Sequence, residues 1–106
     1  MQICYNSTMK LRSCQASLRG AVRIPASKSH TIRALLIAAL ADGESELRNP
    51  LDSGDTASCA AVCAALGAVI EPTPACWRVR GTGGALRIPD HAVDVGNSGT
   101  TLYLAL

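Results

Sequence analysis

The chain has no phenylalanine, and its only aromatic side chains are Tyr5, Trp77 and Tyr103. A surface that stacks nucleic-acid bases on successive rings is therefore not expected. An excess of one charge is missing too. Ten Lys and Arg stand against eight Asp and Glu, a formal +2, too slight to argue for a polyanionic partner. Long apolar runs are absent: a run such as Ala34 to Ala41 falls far short of the ~20 residues a membrane-spanning helix needs. The opening Met1-Gln-Ile-Cys-Tyr-Asn has no basic stretch leading into an apolar one, so no secretory signal is read.

The cysteines also exclude more than they offer. There are five, Cys4, Cys14, Cys59, Cys63 and Cys76, with no CxxC pair. Cys59 and Cys63 sit one helical turn apart, but neither His30 nor His91 is spaced to complete a zinc set with them. No metal site is expected. The cysteines read as small buried apolar residues in a reducing cytoplasm.

What is present is an α/β pattern at the size of one domain, 106 residues with 48% hydrophobic composition carried by Ala, Leu, Val and Ile. Residues 1–19 are polar and mixed, and read as a disordered lead or a strand with its partner elsewhere. Ala21–Ile24 alternates and predicts a strand ended by Pro25. A helix is expected from about Ser29 to Ala41, with Gly43 beyond it. Glu44–Arg48 predicts a second strand, and Ser53 or Asp55 caps a helix running to Leu66, stopped by Gly67. Ala68–Ile70 and Trp77–Arg80 predict two further strands. Leu86–Ile88 and Ala92–Val95 read as short extended pieces. The order β-α-β-α-β-β, followed by the start of another helix, argues for helices packed on a sheet with right-handed crossovers. The chain reads as a piece of something larger, because an element begins where it stops.

Two stretches carry chemistry. Pro25-Ala-Ser-Lys-Ser-His-Thr-Ile-Arg33 runs straight into an apolar helix. Ser27 or Ser29 serves as N-cap. The free N–H groups and the helix dipole at that end favour a phosphate or carboxylate. Lys28 adds a point charge, and Arg33, one turn past Ser29, adds a forked donor. Gly96-Asn-Ser-Gly-Thr-Thr101 forms a second glycine loop at the mouth of a helix, where Ser98, Thr100 and backbone N–H groups offer a second anion pocket. It lacks the Lys-Ser/Thr pair of a P-loop.

These two motifs, with Leu51-Asp-Ser-Gly-Asp-Thr56 between them, resemble in order and spacing the N-terminal signatures of the EPSP synthase (3-phosphoshikimate 1-carboxyvinyltransferase) family over residues 20–106. The sister UDP-N-acetylglucosamine enolpyruvyl transferases differ at the Ser-Lys-Ser position and are the alternative, beside a non-catalytic anion-binding or interaction fragment of the same fold. The resemblance implies an α/β fold: a βαβαββ unit of the enolpyruvyl transferase inside-out α/β barrel, with helices on a mixed sheet. Residues 20–106 would form the first unit and the start of the next in the N-terminal lobe, and residues 1–19 a lead contributing to the second lobe. It implies transfer of the enolpyruvyl group of phosphoenolpyruvate to the 5-hydroxyl of shikimate 3-phosphate in the cytoplasm, with no cofactor and no metal. The partners implied are those two small molecules and the remainder of the enzyme, with neither nucleic acid nor membrane. Lys28 matches the lysine that touches both substrates, and Ser29 and Arg33 match shikimate 3-phosphate binders. Gly99 matches the glycine against phosphoenolpyruvate, where glyphosate competes. Asn97, Ser98 and Thr100 would shape that wall, and Asp55 would support the site from behind. Ile32 stands where the family commonly has Asn, Gly54 where an acidic residue is usual, Tyr103 where Arg is common and Leu104 where many members have Pro. The family's catalytic Asp and Glu correspond to positions beyond Leu106, so the 106-residue chain alone is expected to be inactive.

Overall fold

The structure, a computed structural model, describes residues 2–6 and 9–106, with side chains described from residue 12 onward. Eight elements follow in order: β1 (Gln2–Asn6), β2 (Met9–Arg12), α1 (Lys28–Leu40), β3 (Glu44–Arg48), α2 (Gly54–Ala65), β4 (Val69–Pro72), β5 (Cys76–Arg80) and α3 (Gly99–Ala105).

The helices form where strong helix formers follow a serine. α1 is capped by Ser27, whose hydroxyl accepts from the His30 N–H. α2 is capped by Ser53 in a reciprocal box, with the Thr56 N–H donating to Ser53 Oγ and the Ser53 N–H donating to Thr56 Oγ1 at 2.9 Å. Threonine here takes the part usually played by Glu or Gln. α2 ends in a Schellman motif: the Gly67 N–H reaches Ala64 O and the Ala68 N–H reaches Cys63 O, both at 3.0 Å. Gly67 supplies the required positive φ of 111°.

β3, β5 and β4 form a sheet in that order, antiparallel between neighbours. β3 and β4 run in the same direction on either side of β5. The register sets Leu47 opposite Trp77, and Ser45 and Ile70 opposite Val79. Period-two alternation puts Trp77 and Val79 on the buried face, with Leu47 and Ile70 beside them. That face meets Ile32, Leu35, Ala38 and Ala39 of α1, Cys59 and Cys63 of α2, and Ala68. The molecule is thus two layers, helices on one face of a sheet. The opposite face is polar. Glu44 pairs with its register partner Arg80 at 2.8 Å, and Glu46 with Arg48 at 3.0 Å. The Arg80 guanidinium holds the Glu44 carboxyl below the usual range, and the Cys76 thiol, with Arg48, does the same for Glu46. Any stability from these exposed pairs is present above the unfolded carboxylate value of 4.5 and fades as pH falls through the lowered folded values.

Several expectations are corrected. Ala21–Ile24 forms no strand: Val22 and Ile24 are 87% and 77% exposed, because no strand of the described residues pairs with them. Within residues 1–19, read as a disordered lead or a strand paired elsewhere, Gln2–Asn6 and Met9–Arg12 pair with each other as antiparallel β1 and β2, Gln2 opposite Arg12. The Ile3, Cys4, Tyr5 and Leu11 side chains lie outside the described residues. Leu86–Ile88 and Ala92–Val95 are irregular, without a partner strand. Among the described cysteines, Cys59 and Cys63 are buried as expected, whereas Cys76 is half-buried and Cys14 is exposed. The expected crossover is there: α2 carries the chain from β3 to β4, which run the same way, and the turn at 73–75 then folds β5 into the gap between them. The described residues contain no helix long and apolar enough to cross a membrane.

The end of α1 is tied down by the loop after β5. The Thr82 N–H and hydroxyl both donate to Ala39 O, and the Gly83 N–H donates to Ala41 O. The last carbonyls of the helix thereby find partners. This requires glycine at 81, where an added Cβ would lie 2.1 Å from Ala41 O and 2.4 Å from Ala38 O. Gly81→Ala is expected to lower stability by about 1–3 kcal/mol through overpacking. Gly54→Ala, in open space at the start of α2, is expected to raise it by about 0.4–1 kcal/mol. Urea unfolding midpoints of the two variants check both signs.

Candidate functional site

Lys28 is the first residue of α1, and no acidic residue lies in that helix's first turn. By helix geometry the N–H groups of Lys28 and Ser29 have no intrahelical acceptor, while His30 N–H is taken by Ser27. The Lys28 ammonium lies 2.8 Å from Asp55 Oδ2, an ion pair between residues 27 apart in sequence. Its partners are 51% and 25% exposed at the side chain. Ser29 is half-buried and Arg33 is exposed one turn further on. A face carrying an ammonium, a hydroxyl, a guanidinium and two free N–H groups is suited to a multiply charged oxyanion.

The two helix starts are held together by a connection that sequence reasoning did not identify. Thr31 Oγ1 donates to Ser27 O at 2.9 Å and accepts from the Leu51 N–H at 3.0 Å. The Leu51 carbonyl in turn accepts from Thr56 Oγ1 at 2.8 Å. Both threonines are buried. One residue, Leu51, therefore bridges α1 and α2 through its N–H and its carbonyl, and that bridge places Asp55 against Lys28. The available signal was a threonine four residues after one capping serine and three after the other, in Ser27-Lys-Ser-His-Thr31 and Ser53-Gly-Asp-Thr56.

The glycine loop opens α3 in the same style. Ser98 caps Thr101 N–H, and the two hydroxyls lie 2.7 Å apart. Ser98 is only 2% exposed, so its hydroxyl is committed to the cap. Asn97 and Gly99 are exposed and Thr100 is half-buried. The loop lies close on α2: an added Cβ at Gly96, whose φ is +58°, would sit 2.8 Å from Ser58 Oγ. Thr101 also reaches the Cys59 thiol. The neighbouring Cys59 thiol and burial push the Cys63 thiol far above the ordinary range. Burial and then Glu46 also push Cys76 up. Of the unusual positions, Ile32 is fully buried in the core, while Tyr103 and Leu104 are exposed.

The structure thus brings Lys28, Asp55, Ser29 and Arg33 to one end of the α1–α2 pair and sets the Asn97–Thr101 loop on α2. Two sizeable cavities lie elsewhere. One, about 500 Å³, runs between α1 and β3 past Ser27 and His30. The other, about 630 Å³, is lined by Trp77, Pro50, Pro72 and Pro74. Neither is lined by Lys28, Ser29 or Arg33, so the anion face is open surface. Among the described residues no group of His, Cys, Asp and Glu is arranged to hold a metal.

Comparison with known proteins points to one family. The profile of the family described as EPSP synthase (3-phosphoshikimate 1-carboxyvinyltransferase) matches residues 13–105. A 3-phosphoshikimate 1-carboxyvinyltransferase of Acetivibrio thermocellus is 53% identical over 98 residues, 92% of this chain and 23% of the relative. That of Methanothermobacter thermautotrophicus is 50% identical over 88 residues, 83% of this chain and 21% of the relative. Among solved structures, EPSP synthase from Acinetobacter baumannii superposes with a TM-score of 0.73 at 28% identity, covering 80% of this chain and 20% of that one. The chain therefore spans about a fifth to a quarter of the length of these relatives.

Thr56→Val removes the acceptor for the Ser53 N–H and the donor to Leu51 O. A loss of about 1–3 kcal/mol in unfolding free energy is expected. Hydrogen exchange at the starts of α1 and α2 is expected to quicken in step if the Leu51 bridge couples them.

Proposed function

The chain belongs to the EPSP synthase family, and on that premise we propose that it forms the N-terminal part of a cytoplasmic enzyme. That enzyme transfers the enolpyruvyl group of phosphoenolpyruvate to the 5-hydroxyl of shikimate 3-phosphate and releases phosphate. The observation that carries the reading is the start of α1, where Lys28, Ser29 and Arg33 share one end of a capped helix with Asp55 alongside.

In this reading Ser29 and Arg33 bind shikimate 3-phosphate. Arg33 offers a forked pair of N–H donors and Ser29 a hydroxyl beside unpaired backbone N–H groups. Lys28 lies between the two substrates. Gly99 presents backbone without a side chain to phosphoenolpyruvate, as it would to glyphosate. Asn97 and Thr100 flank it, while Ser98 fixes the wall from behind as the N-cap of α3.

The reaction is an addition followed by an elimination. The 5-hydroxyl oxygen bonds to the enol carbon of phosphoenolpyruvate, the methylene carbon gains a proton, and the hydroxyl proton is lost. The tetrahedral adduct then loses a methyl proton and phosphate, which restores the double bond. The Lys28 ammonium stabilises the charge that develops at the attacking oxygen. No organic cofactor and no metal enters the scheme. The remaining acid–base groups belong to the part of the enzyme outside this fifth of its length.

Lys28→Ala and Arg33→Ala, each in the full-length enzyme, are expected to weaken shikimate 3-phosphate binding about 10- to 100-fold, the effect of losing one charge-assisted contact. Calorimetric titration measures this, and unchanged affinity in both variants would refute the assignment. The purified 106-residue chain is expected to show no phosphate release from the two substrates together.

A further inference from the structure

We infer that Asp55 is the positioning residue for Lys28. Its carboxylate holds the ammonium at the junction of the two helix starts, with two of its three donors left for the two substrates. The inference rests on the functional reading above and extends it to a residue that touches neither substrate.

Three observations lead there. First, Lys28 stands in an unfavourable place for a cation. It is the first residue of α1, where the helix dipole presents positive potential and where the first turn contains no acid. Without a counter-charge its flexible side chain would swing into solvent. Second, the counter-charge comes from another helix and from a favourable place. Asp55 is the acidic residue in the first turn of α2, where the same dipole favours a carboxylate. The Leu51 backbone, hydrogen-bonded through its N–H to Thr31 and through its carbonyl to Thr56, fixes the separation of the two starts. Third, the pair has the geometry of one directed bond. Lys28 Nζ meets Asp55 Oδ2 at 2.8 Å, while half the lysine side chain remains exposed. An ammonium carries three N–H donors. One directed at Asp55 fixes its position and leaves two facing the open side, where an anion at the start of α1 and a second group opposite it can each take one.

An exposed ion pair of this kind does little for folding stability, so its consequence lies in orientation. The carboxylate also opposes any incoming anion by its own charge. Its removal therefore leaves substrate binding intact or tighter while the ammonium loses its direction. Misplacing one group by about 1 Å is enough to reduce rate about 100-fold.

The experiment is steady-state kinetics and calorimetry on the full-length enzyme carrying Asp55→Asn, Asp55→Glu or Lys28→Met. For Asp55→Asn the expected result is a kcat lowered about 10- to 100-fold, a shikimate 3-phosphate Kd unchanged or lower, and an unaltered melting temperature. Asp55→Glu, which keeps the charge on a longer stem, is expected to recover most of kcat. A kcat for Asp55→Asn within twofold of the parent, with Lys28→Met inactive, would overturn the positioning role and leave the functional reading standing. Equal loss of kcat, binding and melting temperature in both Asp55 variants would also overturn it, by showing a structural role. Full activity in Lys28→Met would instead remove the functional reading itself.

Discussion

The arrangement depends on the backbone of one residue. Leu51 lends its N–H to Thr31 and its carbonyl to Thr56, and so fastens the loop after β3 to the first turns of both long helices. Because the threonines are buried, these hydrogen bonds have no water to replace them, and losing one partner would leave the other unsatisfied. The bridge fixes which residues of α1 face which residues of α2 at the anion end. It does so without side-chain bulk, so the surface above it stays open for Lys28, Ser29 and Arg33.

The rest of the packing is consistent with that demand for closeness. Where α1 and α2 meet the sheet, the buried residues include Ala38, Ala39, Cys59, Cys63 and Ala68, with Ile32, Leu35, Trp77 and Val79 as the large members. Small side chains let the helix backbones approach, and the Cys59 thiol lies 3.8 Å from Ile32 O. The cysteines act here as compact apolar groups. At the far end of α1, Gly81 allows the loop to satisfy the helix carbonyls. Both ends of the helix are therefore tied to loops by hydrogen bonds from loop N–H groups.

Much of this was legible in the sequence, for identifiable reasons. Both long helices, β3 and β5 follow from apolar periodicity bounded by Ser, Gly and Pro, and each matches the structure to within one or two residues. The cap of α1 is Ser27 and that of α2 is Ser53, each one of two serine or aspartate alternatives that spacing alone left open. Ala21–Ile24 alternates as a strand should, yet alternation specifies only a face and not a partner, and no described strand lies beside it. The β1–β2 hairpin was missed because its residues are polar and mixed. The Lys28–Asp55 pair and the Leu51 bridge were invisible for a different reason: they join residues 20 to 27 apart, and a single sequence carries no record of such distances. The motifs at 25–33, 51–56 and 96–101 nevertheless contained every residue that the structure brings to this end.

The most direct test of the account is a crystal structure of the full-length enzyme with shikimate 3-phosphate bound. The account predicts the ligand at the start of α1, within hydrogen-bond distance of Lys28, Ser29 and Arg33, with Asp55 still on the Lys28 ammonium. A ligand bound away from that turn, or in the groove between α1 and β3, would contradict it.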